Sequence, residues 1–282
     1  MDFRKLMLEQ ELREYISNNK LTEFDWNYIN IYQKLSESFI HEHKDLVKWN
    51  YISRYQKLSE SFIEEHKDFV KWYLISIYQN LSESFIDKHT DLVDWGYISI
   101  YLKLSESFIE KHKDLVDWEW ISIYQKLNES FIEEHKDLVK WDLISQYQYL
   151  SESFRVKHHI SIPINNWMYV DPDERLKAVK ESGLYTIEGD YVIAFKGIRS
   201  DRYSAFNFQY QYFVGETYES NANFNIEEEN SFGLSAWTLK EAREYCNQLI
   251  IKVKIHKNDL AALVHNENKI RCTKFTVLEE VV

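Results

Sequence analysis

Glycine, proline and cysteine are nearly missing from this chain, and each shortage excludes something. Its 282 residues include 6 Gly, 2 Pro and 2 Cys. Before Pro163 there is one glycine, Gly96, and no proline. Strands joined by tight turns need both residues, so the first half does not read as β structure. Helices joined by Ser and Asp caps need neither. Cys246 and Cys272 both lie in the second half. In a chain that is neither small nor cysteine-rich they are expected to be buried thiols, not a disulfide framework. The opening Met1-Asp2-Phe3-Arg4-Lys5 starts no apolar run of signal-peptide length, and no segment reaches the ~18–20 uninterrupted apolar residues that span a bilayer. The expectation is a protein that is neither secreted nor membrane-spanning.

An excess of positive charge is missing as well. Net charge is −12, divided as −8 over residues 1–164 and −4 over 165–282. Binding to a phosphate backbone needs clustered Lys and Arg that release counterions, so nucleic acid is not an expected partner. Apolar residues are not scarce: 44% hydrophobic and 16% aromatic content suffice for a packed core and argue against disorder.

What is present is a 23-residue unit written six times. Trp26, Trp49, Trp72, Trp95, Trp118 and Trp141 follow one another at that interval, and Phe39, Phe62, Phe85, Phe108, Phe131 and Phe154 keep register with them. A fixed period between 20 and 50 residues signals stacked repeats. Within each copy the apolar positions follow a helical period. A first helix from Trp26 to Leu35 is apolar over most of its circumference, leaving Asn27, Asn30, Gln33 and Lys34 as a polar stripe. A second starts after Ser36 and brings Phe39, Ile40, His43, Leu46 and Val47 onto one face. Ser36, Ser59, Ser82, Ser105, Asn128 and Ser151 stand where an N-cap belongs. Asp25, Asp94 and Asp117 can cap the first helix, whereas Lys48, Lys71 and Lys140 cannot. Two helices of about ten residues are unstable alone and fold by stacking, which predicts an α-solenoid. Residues 3–24, with Phe3, Leu6, Leu12, Ile16 and Phe24 at apolar positions, read as a degenerate N-terminal cap.

His43, His66, His89, His112, His135 and His158 also recur every 23 residues. Equivalent positions of adjacent helices lie about 8–10 Å apart, whereas ligands of one zinc lie ~2 Å from it. The ladder is therefore expected to be interior histidine bonded to a Ser or Tyr of the first helix, with no metal. A neutral buried imidazole resists protonation, which predicts a melting temperature that falls between about pH 7 and 5. The positions that drift between copies are the residue after Trp and the pair before His, which reads His41-Glu42, Glu64-Glu65, Asp87-Lys88, Glu110-Lys111, Glu133-Glu134 and Val156-Lys157. These are solvent positions or a recognition surface.

The repeat register ends at Ile162-Pro163-Ile164, giving a helical repeat domain over 1–160 and a small α+β domain over 165–282. In the second domain Asp171-Pro172-Asp173-Glu174 starts a helix that Gly183 stops. Tyr191–Ile198, Phe208–Val214, Leu249–Ile255 and Ile270–Leu278 read as strands, and Thr238-Leu239-Lys240-Glu241 as a capping box.

This region resembles a known domain. The words Tyr191-Val192-Ile193-Ala194-Phe195-Lys196, Tyr212-Phe213-Val214-Gly215-Glu216, Gly233-Leu234-Ser235-Ala236-Trp237-Thr238, Leu249-Ile250-Ile251-Lys252-Val253 and Lys269-Ile270-Arg271-Cys272 occur in that order. On them, residues 190–280 resemble the C-terminal domain of several repeat proteins of large DNA viruses of amoebae, a family without assigned function. The 23-residue repeat is similar to arrays in giant-virus proteins. The resemblance implies a viral origin, hence host cytoplasm or virion, and no known chemistry. Gly233-Leu234-Ser235 stands where the relatives often carry Gly-Ile-His.

The sequence carries no phosphate-cradling loop, nucleophile elbow, H-E-x-x-H or C-x-x-C pair, so no catalytic residue, cofactor or metal is assigned. Lys196, Arg199, Arg202, Arg271 and Lys274 form a local basic cluster able in principle to hold a phosphate or nucleotide. The leading expectation is a non-enzymatic scaffold with a protein partner on the repeats. The alternative is a nucleotide- or small-molecule-modifying, transferase-like activity in the second domain.

Overall fold

A computed structural model describes residues 8–163, 165–205 and 210–281. Phe3, Leu6 and the start of the expected strand at Phe208 lie outside the described residues. The architecture is a regular series of helix pairs followed by an antiparallel sheet with two helices. The chain divides into two compact units, Met1–Asp117 and Trp118–Val282. The last two helical copies therefore belong to the same unit as the sheet.

The caps of the second helices form as the sequence requires, and Asp94 caps the helix Trp95–Tyr101. Asp25 is not an N-cap: the helix Glu23–Tyr32 starts earlier, and Thr22 is its N-cap, accepting the Asp25 amide at 3.3 Å. Ser36, Ser59, Ser82, Ser105 and Ser151 accept the amide hydrogen of the Phe three residues on at 3.1–3.2 Å, and Asn128 does so at 2.8 Å. The helices themselves are shorter than expected. First helices such as Trp49–Tyr55 and Trp72–Tyr78 have seven residues, second helices such as Glu60–Glu65 and Glu83–Lys88 have six, and the ten-residue Glu23–Tyr32 is the exception. The second helix stops because the ladder histidine takes the C-cap, and its carbonyl then accepts the amides of the residues three and four on. Beyond it the helical 100° step no longer applies. Val47 stays buried, but Leu46, expected on the same apolar face, points out.

In unit Met1–Asp117 the first helices of successive copies pack against each other. Ile29, Ile40, Ile52, Ile63, Ile75, Ile86, Ile98 and Ile109 are fully buried there, each contributing about 1.5–3 kcal/mol relative to exposure. Asn30 and Gln33, expected on a polar stripe, are buried as well. Before these copies lies the helix Glu9–Asn18, which buries Leu12, half-buries Ile16 and leaves Phe24 beyond it exposed.

In unit Trp118–Val282 the sheet comprises β1 (Thr186–Glu188), β2 (Tyr191–Ile198), β3 (Thr217–Glu219), β4 (Leu234–Trp237), β5 (Leu249–His256), β6 (Leu260–Val264), β7 (Lys269–Cys272) and β8 (Lys274–Val281). The order is β3-β8-β5-β2-β4-β7-β6, with β1 on β2. The expected strands at Tyr191–Ile198 and Leu249–Ile255 form and pair in continuous register, Tyr191↔His256 to Ile198↔Leu249. The expected strand Ile270–Leu278 is two strands broken at Thr273. Residues 210–214 form only an isolated bridge, Tyr203↔Gln211.

One face of the sheet buries Val192, Ala194, Ile251, Val253 and Phe275. On the other face Phe195, Trp237 and Ile250 receive Ala242 from the helix Leu239–Tyr245. That helix lacks its expected capping box, because the Thr238 hydroxyl is drawn to Asn268 Oδ1 at 3.3 Å. The expected helix Pro172–Glu181 forms, and Asp171 caps it by accepting the amide of Asp173 at 2.8 Å. Phe232 packs against Tyr124 and Tyr147, with ring centroids 4.7 and 5.7 Å away, and so ties the last two helical copies to the sheet.

Candidate functional site

The recurring polar letters of the repeat are partners across the seam between one copy and the next. Gln56 accepts the Leu35 amide at 3.0 Å and donates to the carbonyls of Asn30 and Gln33 at 2.8 and 2.9 Å. Gln79 repeats the pattern with Leu58, Ser53 and Gln56, and Gln148 with Leu127, Ser122 and Gln125. The hydroxyls of Ser53, Ser76, Ser99 and Ser122 accept the amides of Lys71, Asp94, Asp117 and Lys140 at 3.0–3.1 Å. Glu9, Glu37, Glu60, Glu83 and Glu129 accept the amides of Ser36, Ser59, Ser82, Ser105 and Ser151. The bonds of the glutamines are buried, and a buried backbone group left without a partner costs about 1–3 kcal/mol, so these amides weigh most in where one copy sits on the next.

The histidine ladder completes the seam, with partners other than the expected hydroxyls. His66, His89, His112 and His135 are buried, while His43 and His158 are half-buried. His43, His66 and His135 donate from Nδ1 to the carbonyl of the Phe four residues back at 2.9–3.1 Å. His89, His112 and His158 donate from Nε2 to Glu64, Asp87 and Glu133 of the preceding copy at 2.6–2.7 Å. Lys111 and Lys157 pair with the same Asp87 and Glu133 at 2.6 and 2.8 Å. One of the drifting positions is thus neither idle solvent nor recognition surface. Its signal is legible in the chain: an acid stands 25 residues before a ladder histidine at Glu64, Asp87 and Glu133. The residue after Trp is different, being exposed at Asn50, Tyr73, Glu119 and Asp142.

Two of these contacts add a second acid sensitivity, carried by carboxylates. Lys111, then His112, holds the Asp87 carboxyl below the usual carboxylate range; Lys157, then His158, does the same for Glu133. A carboxyl whose folded pKa is depressed contributes stability above its unfolded pKa, about 3.9 for Asp and 4.3 for Glu. That contribution is lost as pH falls through the lower folded value. The difference in melting temperature between the wild type and Asp87→Asn/Glu133→Gln should therefore shrink as pH falls below about 4. A difference that persists at about pH 2.5 would contradict it.

Leu46, Phe69, Leu92 and Leu115 occupy one equivalent position in four successive copies and are 37–51% exposed. Leu138 is the same position in the other unit and is exposed as well. Each is flanked by a charged or polar pair, such as Lys67-Asp68 before Phe69. A repeated apolar side chain in a polar rim is the composition of an interaction surface.

Each of the five basic residues of the sheet unit has a partner of its own. Lys196 is buried, donates to the Ser235 carbonyl at 3.0 Å and lies 5.4 Å from the Tyr212 ring; burial pulls its ammonium down to about 8. Arg199 pairs with Asp201 at 2.7 Å, Arg202 with Glu280 at 2.6 Å and Lys274 with Glu219 at 3.3 Å. Arg271 is buried and donates to the carbonyls of Asn223, Asn225 and Glu228. None of them lines the open clefts of about 670 Å³ beside Trp141 and His158 and about 700 Å³ beside Arg243 and Glu280. Charge clustering in sequence shows the charges but not the separate partners that each of them takes. Charge patterning also misses Lys269: it lies 5.0 Å from the Trp237 ring, donates to the Glu229 carbonyl, and burial pulls it down to about 8.

Comparison with protein-family models, with curated proteins and with solved structures returns no match. Among the described residues no helix is long and apolar enough to cross a membrane.

Proposed function

We propose that the protein is a non-enzymatic interaction scaffold whose helix pairs form an α-solenoid that engages a protein partner. The observation that carries this reading is the exposed ladder Leu46, Phe69, Leu92 and Leu115 on a frame whose isoleucine and phenylalanine ladders are buried. A fixed frame that repeats one exposed apolar contact suits a partner segment with apolar side chains at matching intervals. The resemblance to giant-virus repeat proteins extends the reading to a viral protein of the host cytoplasm or virion. The alternative, a nucleotide- or small-molecule-modifying activity, rested on a shared anion site, and its five basic side chains are separately engaged.

The test compares the full chain with Leu46→Glu/Phe69→Glu/Leu92→Glu/Leu115→Glu in affinity capture from infected amoebal lysate. These positions are exposed, so surface substitution should leave far-ultraviolet circular dichroism unchanged. Capture of the partner should fall at least about tenfold, since losing anchors worth about 1.4 kcal/mol in total already has that effect. Identical capture by the two proteins would defeat the proposal.

A further inference from the structure

We infer that His41, Glu65 and His66 form a binding site for a divalent transition-metal ion, with zinc as the reference ion. This goes beyond the scaffold reading and does not depend on it. Each of the three residues offers a donor atom, and the three atoms lie within 4.8 Å of one another. His41 Nδ1 is 3.1 Å from His66 Nε2 and 3.3 Å from Glu65 Oε1. A tetrahedral zinc ion with bonds of about 2.0–2.1 Å sets its donors about 3.3 Å apart. Two of the three separations are thus those of a coordination shell, and the third lies within 4.8 Å.

The orientation of His66 is set in advance. Its ring is buried, stacked on Phe62 at 4.1 Å and on Trp49 at 5.2 Å. Its Nδ1 lies 3.1 Å from the Phe62 carbonyl, which can only accept, so the ring hydrogen is on Nδ1. Nε2 therefore presents its lone pair toward His41. An imidazole whose one nitrogen is fixed by a carbonyl and whose other is an acceptor, here facing His41 Nδ1 at 3.1 Å, has the usual support of a metal ligand. The His41 ring meets it edge-on, 5.2 Å away at 89°. His41 and Glu65 are exposed, so the ion would have a path from solvent.

Comparison with the other seams gives the second line of support. The same three positions hold Asp87, Lys111 and His112 at one seam and Glu133, Lys157 and His158 at another, and there they form acid–lysine–histidine triads. The seam of Glu64 and His89 has Lys88 at the middle position. At His41, Glu65 and His66 the acid is replaced by imidazole and the lysine by carboxylate. The lysine of those triads is absent here, as it is at the equivalent Glu134 before His135, but only here does a second imidazole, His41, stand in the place of the acid, and all three side chains are metal ligands. The ladder argument against metal holds for rung with rung. It does not reach His41, which is off the ladder and comes beside the next rung. Two imidazoles and one carboxylate leave a fourth position for water or for a donor from a bound partner.

The test uses the full chain with zinc(II), and cobalt(II) as the coloured probe. The reference variant is His41→Glu/Glu65→Lys, which copies the triad of Glu133, Lys157 and His158 and so keeps a seam the fold already uses. The wild type should bind about one equivalent by equilibrium dialysis, give a cobalt d–d band of tetrahedral intensity, and melt several degrees higher at a hundredfold excess over Kd. The variant should lose at least about tenfold in affinity, the scale expected when two of three ligands go, and show no metal-dependent shift. Absence of binding by the wild type, or binding within threefold in the variant, as by other surface histidines, would overturn the inference.

Discussion

Gln79→Leu should destabilise the helical series by about 3 kcal/mol, as three backbone groups lose their partner at about 1 kcal/mol each. The Gln79 amide is buried, and it satisfies the Leu58 N–H and the carbonyls of Ser53 and Gln56, all in the preceding copy. Leucine fills a similar volume, so the loss is almost wholly one of hydrogen bonds and not of packing. The melting temperature should drop by roughly 10 °C for a unit of this size. The chain contains its own counter-experiment, because the corresponding residue one copy later is Leu102. Leu102→Gln supplies an amide where the carbonyls of Ser76 and Gln79 and the Leu81 N–H stand in the equivalent places. It should raise stability by about 1–2 kcal/mol. Thermal unfolding of both variants decides the matter; two neutral results would show that the glutamine ladder is not what joins the copies.

Gly197→Ala should be more damaging still, at about 4 kcal/mol, near the upper end for a single substitution. A Cβ on Gly197 would come within 2.3 Å of the carbonyl oxygens of both Ala242 and Cys246. Both are backbone atoms of the helix Leu239–Tyr245 and its C-cap, so no side chain can swing aside. The helix would have to lift from β2, exposing Phe195, Trp237 and Ile250. Hydrogen exchange in the full chain should accelerate at Ala242 and Cys246, whose amides bond to Thr238 and Ala242. Gly96→Ala is the control, since it sits in the helix Trp95–Tyr101 with only the Asp94 carboxylate 3.3 Å away. There alanine should be neutral or stabilising by up to about 1 kcal/mol through helix propensity. Equal effects at the two glycines would refute the close-approach explanation.

Both substitutions act through contacts absent from any short window of sequence, and this marks where reading the chain fails. The strands β2 and β5 were legible because each is eight residues rich in β-branched and aromatic side chains. The strands β3, β4 and β6 have three to five residues, too few for a period, and are specified by the strands beside them. The basic residues were legible as charges but not as a site, because the nearest acid or carbonyl claims each of them separately.

By itself the sequence determined the 23-residue register, the two helices in each copy, their Ser and Asn caps and the isoleucine and phenylalanine ladders. The caps and apolar faces follow from signals three or four residues apart within a single helix, and the register follows from plain repetition. Only the tertiary structure decided that Gln33 and Asn30 are inside and Leu46 outside, that an acid 25 residues upstream holds the next histidine, and that His41 meets His66. The physical reason is that hydrogen bonds spanning 18 to 26 residues come into being only when one copy is laid on the next. A polar letter reads as solvent-facing until its partner in the neighbouring copy is in place.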